Sequence, residues 1–328
     1  MTLAEPALIE ARGLSTAVRT AAGETPIVLS LDLSIGRGET VAIVGESGCG
    51  KSLAALSMIR LLPKGQARVT GGEVRLDGRD ILRLREREMN ALRGRDIALI
   101  SQDPMSALNP LMTIGAQLYE AISAHAALPR EALRERALEL MRLVRIPDPE
   151  TRLGEYPHRL SGGMCQRIVI AMAIAGHPRL LIADEPTTAL DVTIQAQVLQ
   201  LLQRLKEETG MALLIVTHDF GVVAEMADRV AVMYAGRIIE EGPVREIFRA
   251  PRHPYTQGLL ALTRRAPAGE RLPEIPGVVP SYADRPPGCA FAGRCDRALD
   301  ICRTTAPARR IVGRRHEVEC WFDGEASA

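Results

Sequence analysis

The apolar run Val41-Ala42-Ile43-Val44 passes directly into Gly45-Glu46-Ser47-Gly48-Cys49-Gly50-Lys51-Ser52, and few folds accommodate that succession. The run has the length and character of a buried strand. Glycines let the following loop adopt positive φ angles, wrap closely round an anion and turn backbone N–H groups toward it. Lys51 adds a compact charge for nucleotide phosphates, and Ser52 adds a hydroxyl suited to Mg²⁺. Leu53 to Leu62 reads as a helix whose positive end faces the same anion. Strand, loop and helix in this order predict a nucleotide-phosphate site in an α/β fold. Lys51, Lys64 and Lys206 are the only lysines in a chain whose other basic residues are arginine. A point charge rather than a planar fork therefore stands where the phosphates would bind.

At 328 residues there is material for one large domain or two modest ones. Apolar residues at 46% and charged residues at 25% match an ordinary globular core. A formal charge of +1 argues against a general nucleic-acid binder, so no nucleic acid is expected as a partner. No apolar run reaches the roughly eighteen residues that span a bilayer, and Met1-Thr2-Leu3-Ala4-Glu5-Pro6 lacks a basic region followed by an apolar one. The chain is therefore expected in the cytosol, where a crowd of cysteines suggests metal before disulfide.

Short alternating segments between Ala7 and Ile35, split at Ala21-Ala22-Gly23-Glu24, predict an antiparallel edge sheet. Gly71 to Gly78 reads as a further short strand. From Thr113 to about Arg145 apolar residues recur at helical spacing, which predicts a helical insertion over about 105–175. Nearly continuous apolar strands return at Leu180 to Ala183 and Ala212 to Val216, with a helical stretch from Val192 to Glu208 between them. That alternation is the signature of a parallel α/β sheet. A hairpin is expected from Arg229 to Glu240 around Ala235-Gly236. Beyond Gly242 the composition shifts to Pro, Arg and Gly, and Pro267 to Pro287 has little periodicity. The chain thus divides into a main domain over 1–242 and a small irregular extension over 243–328.

Leu160-Ser161-Gly162-Gly163-Met164-Cys165-Gln166-Arg167 places a hydroxyl and free backbone N–H groups at the start of a second helix, Ile168 to Ala175. One nucleotide does not need two such ends in one chain. The simplest account is that this end caps the terminal phosphate of a nucleotide held by another subunit. Taken alone, the run is better read as a serine N-cap, but it has company. Leu180-Leu181-Ile182-Ala183-Asp184-Glu185 is an apolar strand ending in two acids, where Asp184 can hold Mg²⁺ and Glu185 can polarise an attacking water. Thr187-Thr188-Ala189-Leu190-Asp191 follows, and His218 stands just beyond the strand that begins at Ala212. Ligands of open α/β sheets bind at that carboxyl edge.

With Gly45 to Ser52, Gln102, Ser161-Gly162-Gly163, Asp184-Glu185, Ala189-Leu190-Asp191 and His218 in this order, the chain resembles an ABC transporter ATP-binding subunit. The resemblance implies a P-loop ABC ATPase core, a parallel sheet plus an antiparallel N-terminal sheet, carrying the helical insertion. It implies ATP sandwiched between the loop Gly45, Glu46, Ser47, Gly48, Cys49, Gly50, Lys51 and Ser52 of one subunit and Ser161, Gly162 and Gly163 of a partner. Asp191 joins the nucleotide-contacting residues, and Ser52, Gln102 and Asp184 serve Mg²⁺. Glu185 would be the general base, Gln102 a sensor of Mg²⁺ and water, and His218 the holder of the γ-phosphate and the water. The implied partners are a second ATPase subunit, paralogous or identical, two transmembrane permeases and, indirectly, a periplasmic solute-binding protein. They place the chain at the cytoplasmic face of a bacterial inner membrane. The rival is a non-transport ABC ATPase that clamps nucleic acid or the ribosome, but such proteins commonly carry two fused cassettes or long coiled coils. One position departs from the family pattern. No Phe, Tyr or Trp precedes the phosphate loop, and Val18 or its neighbours occupy the place of the adenine-stacking aromatic. Base stacking is then weaker by roughly 1 kcal/mol.

Five, six and seventeen residues separate Cys289, Cys295, Cys302 and Cys320, which fits neither a paired zinc ribbon nor a compact ferredoxin run. Eight arginines face only Asp296 and Asp300 over residues 285–315, a local positive field that would favour thiolates. Spacing alone leaves zinc and iron–sulfur level, with unligated thiols behind them. His253-Pro254-Tyr255-Thr256, Leu259-Leu260, Pro276-Gly277 and Gly288-Cys289 resemble the C-terminal extension of the oligopeptide, dipeptide and nickel branch of the family. That resemblance implies a [4Fe–4S] cluster on the four cysteines, as a structural staple ahead of a redox device, and import of a peptide or related small solute. Cys49 and Cys165 read as passengers within their motifs.

Overall fold

The computed structural model describes residues 7–21, 23–188, 190–263 and 274–322. Two compact units make up the chain. Residues 1–35, 40–82 and 216–328 form the first, and residues 36–39 and 83–215 form the second.

In the first unit four antiparallel strands run in the order Gly23–Ile35, Ile9–Thr20, Ala67–Leu76 and Arg79–Asp80. Ile9 pairs with Ile35 on one side and Leu76 on the other, so Ile9, Ala11, Leu33, Ile35, Val74 and Leu76 are all buried. The register slips between Ala11 and Leu14, and beside the slip Gly72 has a φ of 85°. A Cβ there would lie 2.5 Å from the Gly13 carbonyl, so the close approach of the two strands requires glycine. This slip breaks the alternation, which is why both N-terminal strands run longer than the short segments expected from the sequence.

Five further strands of this unit lie side by side in the order Arg309–Gly313, His316–Glu319, Arg237–Pro243, Arg229–Tyr234 and Thr40–Val44. The last two are parallel, with Val41 opposite Arg229 and Val44 opposite Val232. The hairpin around Ala235-Gly236 is present, as expected. The tail is not irregular throughout, because residues 309–319 form a hairpin that extends this sheet at Glu240 and Glu241. Its arginines and glutamates hide the strand pattern, yet Val318 is buried and Arg309 pairs with Glu241 and Glu317. Of the expected unstructured stretch, residues 267–273 lie outside the described residues, and a short turn at Tyr282–Asp284 interrupts the rest. The chain has four Phe, five Tyr and one Trp, and three of these meet edge to face in the core. Tyr234, Tyr255 and Phe291 have ring centroids 4.7, 5.2 and 5.3 Å apart, surrounded by Val44, Val232 and Ile247.

In the second unit the strand Ile97–Ile100 runs parallel to Leu180–Asp184, with Ile100 opposite Ala183, and Ala212–Thr217 lies on the far side of Leu180–Asp184. Every residue of the latter two strands is buried, as continuous apolar runs require. The helical stretch expected from Thr113 to Arg145 is two helices, Ile114–Ser123 and Arg130–Leu143. Pro129 separates them, since proline disfavours helix in the residue before it. The helix expected from Ile168 begins earlier, at Gly162, because the Ser161 hydroxyl accepts the Met164 N–H at 3.3 Å. Gly210, left-handed at φ 69°, ends the helix Val192–Thr209.

At the start of the helix Pro254–Leu262, His253 is fully buried and its Nδ1 accepts the Tyr255 N–H at 3.0 Å. Burial lowers its pKa from 6.5 to about 4, against the opposing pull of the Glu240 carboxylate. Between those values the unfolded chain takes up a proton that the folded chain refuses. Folding stability is therefore complete above about pH 6.5 and falls as pH drops toward 4, by on the order of 3 kcal/mol. Urea unfolding of the wild type and of His253→Gln between pH 7.5 and 5 checks this, with the wild type losing stability more steeply on acidification.

Candidate active site

The loop 45–52 leaves the strand Thr40–Val44 and enters the helix Lys51–Met58, with φ of 155° at Gly45, 79° at Gly48 and 105° at Gly50. A Cβ on Gly45 would lie 2.2 Å from the Met233 carbonyl, so the strand Arg229–Tyr234 sets how the loop begins. Its far end is held by the Gly236 N–H, which donates to the Cys49 carbonyl at 2.9 Å. Lys51 is 6% exposed, and its ammonium donates to the carbonyls of Gly45 at 2.8 Å and Glu46 at 3.0 Å, so the lysine closes its own loop. Ser47 and Gly48 are exposed at the mouth, whereas Cys49 is buried and burial raises its thiol pKa, consistent with a packing role. The helix after the loop packs on the N-terminal sheet, where the hydroxyls of Thr16 and Ser57 share a buried 2.8 Å hydrogen bond. Ser52 is the second residue of that helix, and its positive end faces the loop.

Glu46 is the most constrained residue of the loop. Its N–H donates to the Tyr255 hydroxyl at 2.9 Å, and its carboxylate receives both arms of the Arg294 guanidinium at 2.7 and 3.0 Å. Neither contact was foreseen from the sequence, since they join positions 209 and 248 residues apart. His218 belongs to this unit too, exposed between the strand Ala212–Thr217 and Asp219, whose carboxylate caps the helix Phe220–Met226.

In the second unit the parallel register carries the chemistry. Since Ile100 lies opposite Ala183, Gln102 and Glu185 each emerge two residues later at the same sheet edge. The Gln102 amide donates to Glu185 Oε2 at 2.9 Å, and the Thr188 hydroxyl donates to the same oxygen at 2.8 Å. Glu185 sits in left-handed backbone at φ 48°, a strained position of the kind that clusters at functional sites. Asp184, almost fully buried, ends the strand just before it. Thr188 belongs to the quoted run of sequence, but only the structure gives it a role. Gln166 was also missed: its buried amide donates to the Pro186 carbonyl at 2.9 Å and ties the helix Gly162–Ile174 to the Glu185 loop.

Ser161 caps that helix, Gly162 is exposed, and a Cβ on Gly163 would meet Ile194 at 2.7 Å. Gly163 thus lets the helix approach the start of Val192–Thr209, where Asp191 accepts the Ile194 N–H at 2.9 Å. Ala189 lies outside the described residues. Lys51, Ser52 and His218 belong to the first unit, and Gln102, Asp184, Glu185, Ser161, Gly162, Gly163 and Asp191 to the second.

Cys289, Cys295, Cys302 and Cys320 are all free thiols, and the Cys289 N–H donates to the Cys302 carbonyl at 2.7 Å. They are near enough that the other three each act on the ionisation of Cys289. Among the described residues, however, no group of three or more His, Cys, Asp or Glu side chains is arranged to hold a metal ion. The metal-binding tail expected from the resemblance thus has its donors in one neighbourhood without ligating geometry. The expected thiolate-favouring field is corrected as well. Burial pushes Cys289 up to about 11 and also raises Cys295 and Cys320. Desolvation outweighs the opposing pull of Arg297 on Cys295 and of Arg310 on Cys320.

Residues 28–188 match the family model described as ABC transporter, and residues 239–302 match that of the oligopeptide/dipeptide transporter C-terminal region. A probable peptide ABC transporter ATP-binding protein of Sinorhizobium fredii is 50% identical over 320 residues, 97% of this chain and 96% of the relative. The dipeptide transport ATP-binding protein of Bacillus subtilis is 46% identical over 319 residues, 97% and 95% of the two chains. Among solved structures, a dimeric ATP-binding cassette in a post-hydrolysis state with ADP and Pi superposes with a TM-score of 0.65 at 30% identity, covering 72% of this chain and 99% of the other. The chain belongs to the ABC transporter family, and its place in it is that of the ATPase. The P-loop ABC ATPase fold expected from the motifs is the fold observed. The rival expectation of a non-transport clamp falls, because relatives that match almost end to end are named for peptide transport. No helix among the described residues is long and apolar enough to cross a membrane.

Thr188→Val keeps the side-chain shape and removes one of the donors on Glu185. Steady-state ATP turnover should fall about tenfold or more, the scale of one hydrogen bond to a charged group at ~1.5–3 kcal/mol. Turnover within a factor of two of wild type would remove Thr188 from the site.

Proposed function

We propose that this chain is the ATP-binding and ATP-hydrolysing subunit of a bacterial importer for peptides or a related small solute, with oligopeptide, dipeptide and nickel as the candidate cargoes. The observation that carries the chemistry is the Glu185 carboxylate, held by Gln102 and Thr188 at the end of a buried parallel strand. The solute class is supported by relatives named for peptide and dipeptide transport along nearly the whole chain.

In this reading Gly45, Gly48 and Gly50 let the loop present its N–H groups to the phosphates, and Lys51 neutralises the β- and γ-phosphates. Mg²⁺ would supply positive charge against the negative charge that develops on the phosphates. Ser52, Asp184 and the amide oxygen of Gln102 are hard oxygen donors that suit it. Gln102 points its amide nitrogen at Glu185, so its oxygen would be the atom that serves a metal. Glu185 takes a proton from the attacking water, and His218 holds that water and the γ-phosphate. Ser161, Gly162 and Gly163, with Asp191 beside them, complete the nucleotide site of a second ATPase subunit, a paralogue or another copy. ATP then closes the pair and hydrolysis opens it. The helical insertion beyond Gln102 passes this motion to two permeases at the cytoplasmic face of the inner membrane, and a periplasmic binding protein delivers the solute. The ATPase work belongs to 1–242, and 243–328 is the branch-specific extension. A [4Fe–4S] cluster on its four cysteines rests on the resemblance of the extension alone, since the four free thiols form no metal-holding group among the described residues.

Glu185→Gln, assayed with its partner subunit, should still bind ATP and pair, yet lose roughly 10² to 10⁴ in turnover, the contribution of a general base. Near-normal turnover would remove Glu185 from that role. For the tail, protein prepared without air should carry about four iron atoms per chain with visible iron–sulfur absorbance. Stoichiometric zinc, or no metal, would overturn the cluster.

A further inference from the structure

We infer that Arg294 is a positioning residue for the phosphate loop, and that the C-terminal extension sets through it how the loop meets nucleotide phosphates. The inference rests on the reading of residues 45–52 as that loop. A guanidinium has five N–H groups, and here five acceptors take them. Nη1 donates to Glu46 Oε2 at 2.7 Å and to the Tyr234 hydroxyl at 3.4 Å. Nη2 donates to Glu46 Oε1 at 3.0 Å and to the Ile275 carbonyl at 3.1 Å, and Nε donates to the Pro276 carbonyl at 2.8 Å. The Arg294 side chain is only 6% exposed. The turn Ala292–Arg294 fixes its backbone, and the Phe291 beneath that turn belongs to the aromatic trio with Tyr234 and Tyr255.

Glu46 is thereby held at three points by four partners, the Cys49 N–H sharing its carbonyl with Lys51. Tyr255 takes its N–H, Arg294 takes its carboxylate, and Lys51 takes its carbonyl. The next two residues, Ser47 and Gly48, are the exposed ones at the loop mouth, so any rotation at Glu46 swings their N–H groups. A contact that only fastened the tail to the core could end on any polar residue of the first unit. This one ends, as a two-pronged pair between a buried guanidinium and a half-buried carboxylate, on the second residue of the phosphate loop. Such forked geometry fixes direction as well as distance, and lysine cannot reproduce it.

The test uses the full chain and equilibrium binding of a fluorescent ATP analogue with Mg²⁺. Arg294→Lys keeps the charge and loses the fork, and should raise the dissociation constant between about tenfold and about a hundredfold, the cost of misplacing binding groups by an ångström. Glu46→Gln should do the same, and the double variant should be no worse than either alone. Arg309→Met, which breaks the Glu241 and Glu317 pairs in the same tail, serves as the structural control and should leave binding within twofold. Lys51→Ala tests the loop reading itself: undiminished binding there overturns that reading and this inference with it. If Lys51→Ala loses binding while Arg294→Lys stays within twofold, the inference alone falls. It falls also if the Arg294 and Glu46 losses multiply in the double variant, or if Arg309→Met weakens binding as much as Arg294→Lys.

Discussion

A loop that turns its N–H groups toward a ligand cannot use them to hold itself, so its shape has to be imposed from outside. The first unit is arranged round that constraint. Gly45 is pressed against the Met233 carbonyl, and the Cys49 carbonyl is caught by the Gly236 N–H. The Glu46 N–H is taken by Tyr255, while Lys51 spans the loop to the carbonyls of Gly45 and Glu46. The strand Arg229–Tyr234 and the turn after it therefore do more than fill the sheet. They form the wall against which the loop is shaped, and the buried aromatic trio behind them makes that wall stiff.

The second unit solves a different problem, that of keeping the Glu185 carboxylate in one orientation. Parallel pairing is the means, because a register with Ile100 opposite Ala183 brings Gln102 and Glu185 out together. The left-handed backbone of Glu185 costs on the order of 1–3 kcal/mol. Two donors on its Oε2 and the Gln166 bond to the next carbonyl hold the strained turn in place. The helix that carries Gln166 is capped by Ser161, so its anion-ready end is tied to the Glu185 loop through one element.

Much of this was legible because the signals are local. Val41 to Ser52 announces strand, loop and helix within a dozen positions, and the buried parallel strands at Leu180 and Ala212 are uninterrupted apolar runs. Ser161 and Asp191 cap helices where their types predict. What stayed hidden depends on distant partners. Nothing near Glu46 foretells Arg294, and nothing near Arg309 marks a strand, because a charged edge hairpin lacks clean alternation. The register slip beside Gly13 likewise hid the true length of the N-terminal strands, and Pro129 divided what looked like one helical stretch.

The tail shows how a correct count can give a wrong field. Eight arginines against two aspartates over residues 285–315 are a positive excess only if their charges are free to act on the cysteines. Arg294 is paired with Glu46 and Arg309 with Glu241 and Glu317, while Arg297 pulls Cys295 down and Arg310 pulls Cys320 down, each less than burial raises it. All three of those glutamates lie outside the counted window, so the window misstates the local charge. Desolvation then decides, and the thiols of Cys289, Cys295 and Cys320 are driven toward their neutral form. A metal centre there would have to supply its own positive charge to deprotonate its ligands, as metal sites do. Charge counted along a chain is thus a statement about the unfolded state, and folding redistributes it among partners that only the tertiary structure selects.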